Sequence, residues 1–107
     1  MAIQGMRLLD DVTTTGEGAI HSPDFASKTF QLEGSTSSGV GAAAVKVEAS
    51  HSGRVGTWEE VGSITLTLGT TTTSDSFSTV SIYKHYRGNV VSISGTGAKV
   101  ILSMNGI

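Results

Sequence analysis

The chain has 107 residues, 37% of them hydrophobic and only 15% charged, with a formal charge of −2. That length holds one domain, and a near-neutral balance without a Lys/Arg cluster leaves no electrostatic footprint for nucleic acid. With no cysteine, disulfides and thiolate metal sites are excluded, and no apolar run approaches the ~18 residues that a membrane helix needs.

Residues 1–27 show weak periodicity. The start lacks the basic residues and long apolar stretch of a secretory signal, so synthesis and use without export are expected. Met6-Arg-Leu-Leu9 reads as a short strand, Asp10-Asp11 and Thr13-Thr-Thr-Gly-Glu-Gly18 as turn and loop, and His21-Ser-Pro-Asp24 as a turn. The region is expected to be a loosely structured arm with one or two short strands, ahead of a sandwich domain over 28–107.

From residue 28 onward, apolar and polar residues alternate. Period two puts one face of a strand on a core and the other toward water or a partner. Lys28-Thr-Phe-Gln-Leu-Glu33 turns Phe30 and Leu32 inward, and Gly34-Ser-Thr-Ser-Ser-Gly39 reads as a flexible loop. Gly41-Ala-Ala-Ala-Val-Lys-Val-Glu-Ala-Ser50 is a strand with Val45 and Val47 inward, closed by a tight turn at His51-Ser-Gly53. Trp58 precedes the strand that carries Ile64, Leu66 and Leu68.

Residues 70–76 read as a polar loop and 77–83 as a strand with a bulge. The next strand runs over 84–93 with Tyr86 and Val90 inward, and Val90-Val91 breaks its alternation. Ser94-Gly-Thr-Gly97 is a turn, and 98–104 closes the chain with Val100 and Leu102 inward. With no helix predicted, the pattern implies an all-β domain: one antiparallel sandwich or jelly roll of seven or eight strands.

Residues able to do chemistry are few. His21, His51 and His85 lie far apart in sequence, without ligand-type neighbours at metal spacing. Asp10-Asp11 and Glu59-Glu60 are strand neighbours pointing to opposite faces, so neither pair converges on one bond. Gly39-Val-Gly41-Ala-Ala-Ala44 matches a dinucleotide pattern, but a strand follows where that pattern needs a helix. No Gly-x-Ser-x-Gly elbow occurs. Trp58, Tyr83 and Tyr86 admit two readings: stacking on a sugar, or packing in the core, where a lone Trp ahead of a strand anchors the sheets. The core is expected to comprise Phe30, Leu32, Val45, Val47, Trp58, Ile64, Leu66, Leu68, Tyr86, Val90, Val100 and Leu102.

The order His51-Ser-Gly53, Thr57-Trp58-Glu-Glu-Val61-Gly-Ser-Ile-Thr-Leu66, Tyr86-Arg87-Gly-Asn-Val90 and Ser92-Ile-Ser-Gly-Thr-Gly-Ala98 resembles small β-sandwich virion proteins of tailed bacteriophages. Those have a Ser-Asn-Asp-Gly type of turn, Thr-Trp and an alternating strand, a Tyr-Val-Arg-Ala-Asn-Val type of strand, and a Gly-Thr-Gly turn. The match covers residues 40–104. It departs in having His51-Ser52 in the first turn, the extra Arg54-Val-Gly56, and Arg87 directly after Tyr86.

The resemblance implies a non-enzymatic structural protein without a cofactor, of the capsid decoration or cement type. Its partners would be the major capsid protein on the outer shell surface and further copies of itself in a homotrimer, with no nucleic acid, membrane or small-molecule substrate. The protein would be made in the host cytoplasm. Met6, Arg7, Leu8 and Leu9 are the expected capsid contacts. A carbohydrate- or receptor-binding module on a tail or fibre is the alternative.

Overall fold

Alternation decides which face of each strand turns inward, and the strands follow it closely. The computed structural model describes residues 4–23 and 26–106. Eight strands succeed one another: β1 (Gln4–Val12), β2 (Gly16–Glu17), β3 (Lys28–Ser35), β4 (Ser38–Ser50), β5 (Glu59–Leu68), β6 (Thr73–Thr79), β7 (His85–Thr96) and β8 (Lys99–Gly106). They form two antiparallel four-stranded sheets, ordered β1-β8-β3-β6 and β2-β7-β4-β5. The pairings are nested: β1 with β8, β2 with β7, β3 with β6, β4 with β5. Pairings of β3 with β8 and β4 with β7 complete the sheets.

The sheets pack face to face as a sandwich. Phe30, Leu32, Val100, Leu102 and Met104 of the first sheet meet Val45, Val47, Ile64, Leu66, Leu68, Tyr86 and Val90 of the second, all buried. The Phe30 ring lies 5.9 Å from Tyr86 across the gap and 5.3 Å from Phe77. Gly62 on β5 makes room for Phe77, since a Cβ there would come within 2.6 Å of the ring.

Four local readings of the sequence are corrected. The expected arm is, over Gln4–Val12, a full edge strand on β8. Two irregularities hid it. Arg7 faces Ser103 while Leu9 faces Leu102, so Leu8 is an extra residue, and both leucines turn inward, 3% and 4% exposed. Asp10 and Asp11 then span one position of β8, with Asp11 at φ 51°, a conformation that Asp tolerates better than most residues. Residues 1–3 and 24–25 of the expected arm lie outside the described residues.

The flexible loop expected at 34–39 is only Thr36 and Ser37 between two strands. Thr36 is buried, donating from Oγ1 to Gly39 O at 2.7 Å and from N to Gly69 O at 2.8 Å. The polar run from Thr73 is a strand, and the strand expected over 77–83 ends at Thr79. Serine and threonine on an edge strand need no alternation, because only Phe77 reaches inward. The fourth correction is Trp58, which is half-buried and outside the core. The broken alternation at Val90-Val91 is a bulge: Ala44 faces Ser92 and Val45 faces Val90, leaving Val91 unpaired and 49% exposed.

Candidate functional site

The end of the sandwich where β4 stops and β7 starts gathers most of the chain's chemistry-bearing side chains. Ser50, fully buried at the end of β4, begins a turn fastened by hydroxyls. Its Oγ accepts from Gly53 N at 3.0 Å and lies 2.7 Å from Thr57 Oγ1. Thr57 Oγ1 donates to Arg54 O at 2.6 Å and accepts from Ser52 Oγ at 3.1 Å. Thr57 therefore closes the turn from within and sets where Trp58 emerges.

Trp58 lies over the guanidinium of Arg87, which is 4.1 Å from the ring centroid. Glu48 and Arg87 are cross-strand neighbours of β4 and β7 on the outer face of their sheet. Arg87 Nε donates to Glu48 Oε1 at 2.8 Å, and its Nη1 is 3.4 Å from Glu17 on β2. Asn89 donates to the other Glu48 oxygen at 3.4 Å. A planar cation is thus held at its edge by carboxylates and on one face by an indole.

Tyr86, one residue earlier, points the opposite way and is fully buried. Its hydroxyl donates to Ser81 O at 2.9 Å and accepts from Tyr83 N at 3.2 Å. The Lys28 ammonium, on a side chain only 3% exposed, donates to the same Ser81 oxygen at 2.7 Å and to Ala26 O at 3.3 Å. Two buried side chains thereby fix the connection between β6 and β7. Val80 and Ile82, on either side of Ser81, stand 73% and 79% exposed.

The three histidines, distant in sequence, come to this same end. His21 bridges to Tyr86, His85 pairs with Ser50, and His51 follows Ser50. His51 stacks on Tyr83 at 4.8 Å, and Tyr83 donates its hydroxyl to Glu59 at 3.0 Å. That hydrogen bond, and then the charge of Glu59, hold the Tyr83 hydroxyl above the ordinary tyrosine value. Among the described residues no three His, Asp or Glu side chains are placed to hold a metal. Ser22 Oγ lies 2.8 Å from His85 Nδ1. This contact ties the segment around residue 22 to β7.

No family model matches the chain. Comparison with curated proteins and with solved structures finds no match either.

The sequence-derived residues divide between interior and surface. Phe30, Leu32, Val45, Val47, Ile64, Leu66, Leu68, Tyr86, Val90, Val100 and Leu102 are interior. Of the expected capsid contacts, Leu8 and Leu9 belong to the core and cannot serve as a contact surface. Met6 packs half-buried against that core. Arg7 is exposed and bound to Asp10 at 2.7 Å. The Trp58–Arg87 contact and the Lys28–Ser81 anchor escaped the sequence, because both join residues about thirty or more positions apart without a local pattern. What this end offers chemically is stacking, hydrogen bonding and apolar contact on a fixed frame.

Proposed function

We propose that this chain is a non-enzymatic virion structural protein of a tailed bacteriophage, a capsid decoration protein that binds the outer surface of the assembled shell. The single observation that carries the reading is the meeting of the two motif segments. Thr57-Trp58 and Tyr86-Arg87, separated by almost thirty residues, form one unit through the Trp58–Arg87 stack and the Thr57-closed turn. Thr57, Trp58 and Tyr86, which carry the resemblance, therefore belong to the frame, while Arg87 and Arg54, which they meet there, stand where the chain departs from the pattern. The nested strand pairings support the finer reading of the sandwich as a jelly roll, an analogy of fold alone.

The mechanism is adhesion. A rigid slab of about 39 × 35 × 17 Å presents the connection carrying Val80 and Ile82, and whatever binds only the assembled shell stabilises it by mass action. Self-association belongs to the same reading. The test is to mix the purified chain with empty shells and reconstruct them by electron cryomicroscopy. Density at regular positions on the shell is expected; virions carrying the chain only at the tail tip, in a few copies, would overturn the reading.

A second reading, a glycan-binding module on a tail or fibre, is favoured by the partial exposure of Trp58 and Tyr83. Glycan-array binding that disappears in Trp58→Ala, without loss of the fold, would move the assignment there.

A further inference from the structure

We propose that the free edge of β7 beyond Val90 is a two-fold interface that takes a second copy of this chain in antiparallel register centred on Ile93. On one side β7 is paired with β4 from His85 to Thr96, interrupted at Val91 and at Gly95. On the other, β2 covers only Asn89 and Val90, with Gly18 N donating to Gly88 O and His21 bridging to Tyr86. Among the described residues no strand pairs with Val91-Ser-Ile-Ser-Gly-Thr96 on that side.

Unpaired strand edges invite pairing, and proteins blunt them with charges, prolines or a cover. The other edges here are blunted. β1 carries Arg7, Asp10 and Asp11 and two irregularities. β5 carries Glu59, Glu60 and a bulge at Val61, and Thr73 Oγ1 of neighbouring β6 donates to Thr67 O. β6 carries Asp75. The stretch 91–96 has a bulge at Val91 and a second irregularity at Gly95, which leave Ser92-Ile93-Ser94 regular, but it has no charge and no proline.

Its own sequence commits it to a like partner. Directly opposed residues of an antiparallel pair share one face of the sheet. Ser92 and Ser94 are exposed on the outer face, and Ile93 points to the core side, half-buried. Only registers that oppose outer residues to outer residues keep the sheet continuous. Centring on Ile93 does this, placing Ser92 against Ser94 of the second copy and Ile93 against Ile93. Val91 then meets Gly95, where no side chain obstructs it. The run ends at each side where β2 begins, at Val90, so the two copies fit without displacing it. The half-exposed apolar surface of Val91 and Ile93 is what the pairing covers. An antiparallel self-pairing closes after two copies, so this register gives a two-fold where the resemblance implied a three-fold. Five residue pairs make less than a standard interface, so the dimer dissociates on dilution.

The test is sedimentation velocity of the full chain across a wide concentration range, and it stands apart from any role on a virion. The natural chain is expected to move from monomer toward dimer as concentration rises. Ser92→Lys with Ser94→Lys sets like charges against each other twice and abolishes the dimer. Ser92→Lys with Ser94→Glu opposes unlike charges at both contacts and keeps it. All three should melt at the same temperature when dilute, since both positions are exposed. A monomer at every concentration, a trimer, a dimer that survives the double lysine variant, or one lost equally in both variants would overturn the proposal.

Discussion

Phe30 is the side chain whose removal best tests how this sandwich is held together. It is fully buried on β3, its ring 5.3 Å from Phe77 on the neighbouring strand and 5.9 Å from Tyr86 on the opposite sheet. Phe30→Ala removes the transfer energy of a whole ring and opens a cavity that two other rings cannot fill without leaving their own partners. Such substitutions cost about 3–5 kcal/mol, against a total of about 5–15 kcal/mol for a domain. At roughly 4–8 °C per kcal/mol near this size, Tm falls by at least ~12 °C. Trp58→Ala is the control. It removes a half-exposed ring whose main specific contact is the Arg87 stack, worth about 0.5–2 kcal/mol, so its cost is well below that of Phe30→Ala. Thermal unfolding followed by circular dichroism, with urea melts of both variants, gives the comparison. Equal losses, or a larger loss for Trp58, would refute the placement of the core.

Gly88→Ala pushes a methyl to within 2.9 Å of both Leu9 and Leu102, and the overpacking is expected to cost about 1–3 kcal/mol in urea unfolding. Thr57→Val keeps the shape of the side chain but removes the exposed hydroxyl that closes the turn; it is expected to cost about 0.5–1.5 kcal/mol and to speed amide exchange across residues 51–57, which unchanged protection would contradict. Tyr83 is expected to titrate above ordinary tyrosine in ultraviolet difference spectra, and Glu59→Gln to bring it back down. The raised value means that the stability from this hydrogen bond is fully present below the unfolded tyrosine value near pH ~10 and is lost as pH climbs through the folded one.

How much of this was legible in the sequence depended on whether one residue's neighbours were enough to place it. Strands β3, β4, β5 and β8 could be read because each has a wet face and a dry face, and Val45, Val47, Leu66 and Leu102 fall into period two without help. Strand β1 could be read only as a short piece over residues 6–9, because an extra residue at Leu8 and another at Asp10-Asp11 reset the period twice within nine residues. Strand β6 has a single inward side chain, Phe77, and one residue makes no pattern. Trp58 misled for a different reason. A lone tryptophan before a strand is a fair anchor, but its ring rests on Arg87, whose flat guanidinium is held in place by Glu48 and Glu17. The gathering of three histidines at one end is a product of topology and has no local signature.

The Ser81 carbonyl, held by Tyr86 and Lys28, separates two jobs within a single loop. The residues that dictate its path never reach the surface, while Val80 and Ile82, which do, contribute almost nothing to that path. Substitutions at these two positions can therefore change the exposed surface at little expense in folding. Under the proposed adhesive role, a lineage bearing this scaffold would be free to adjust that surface by changing two side chains, leaving the loop itself as it stands.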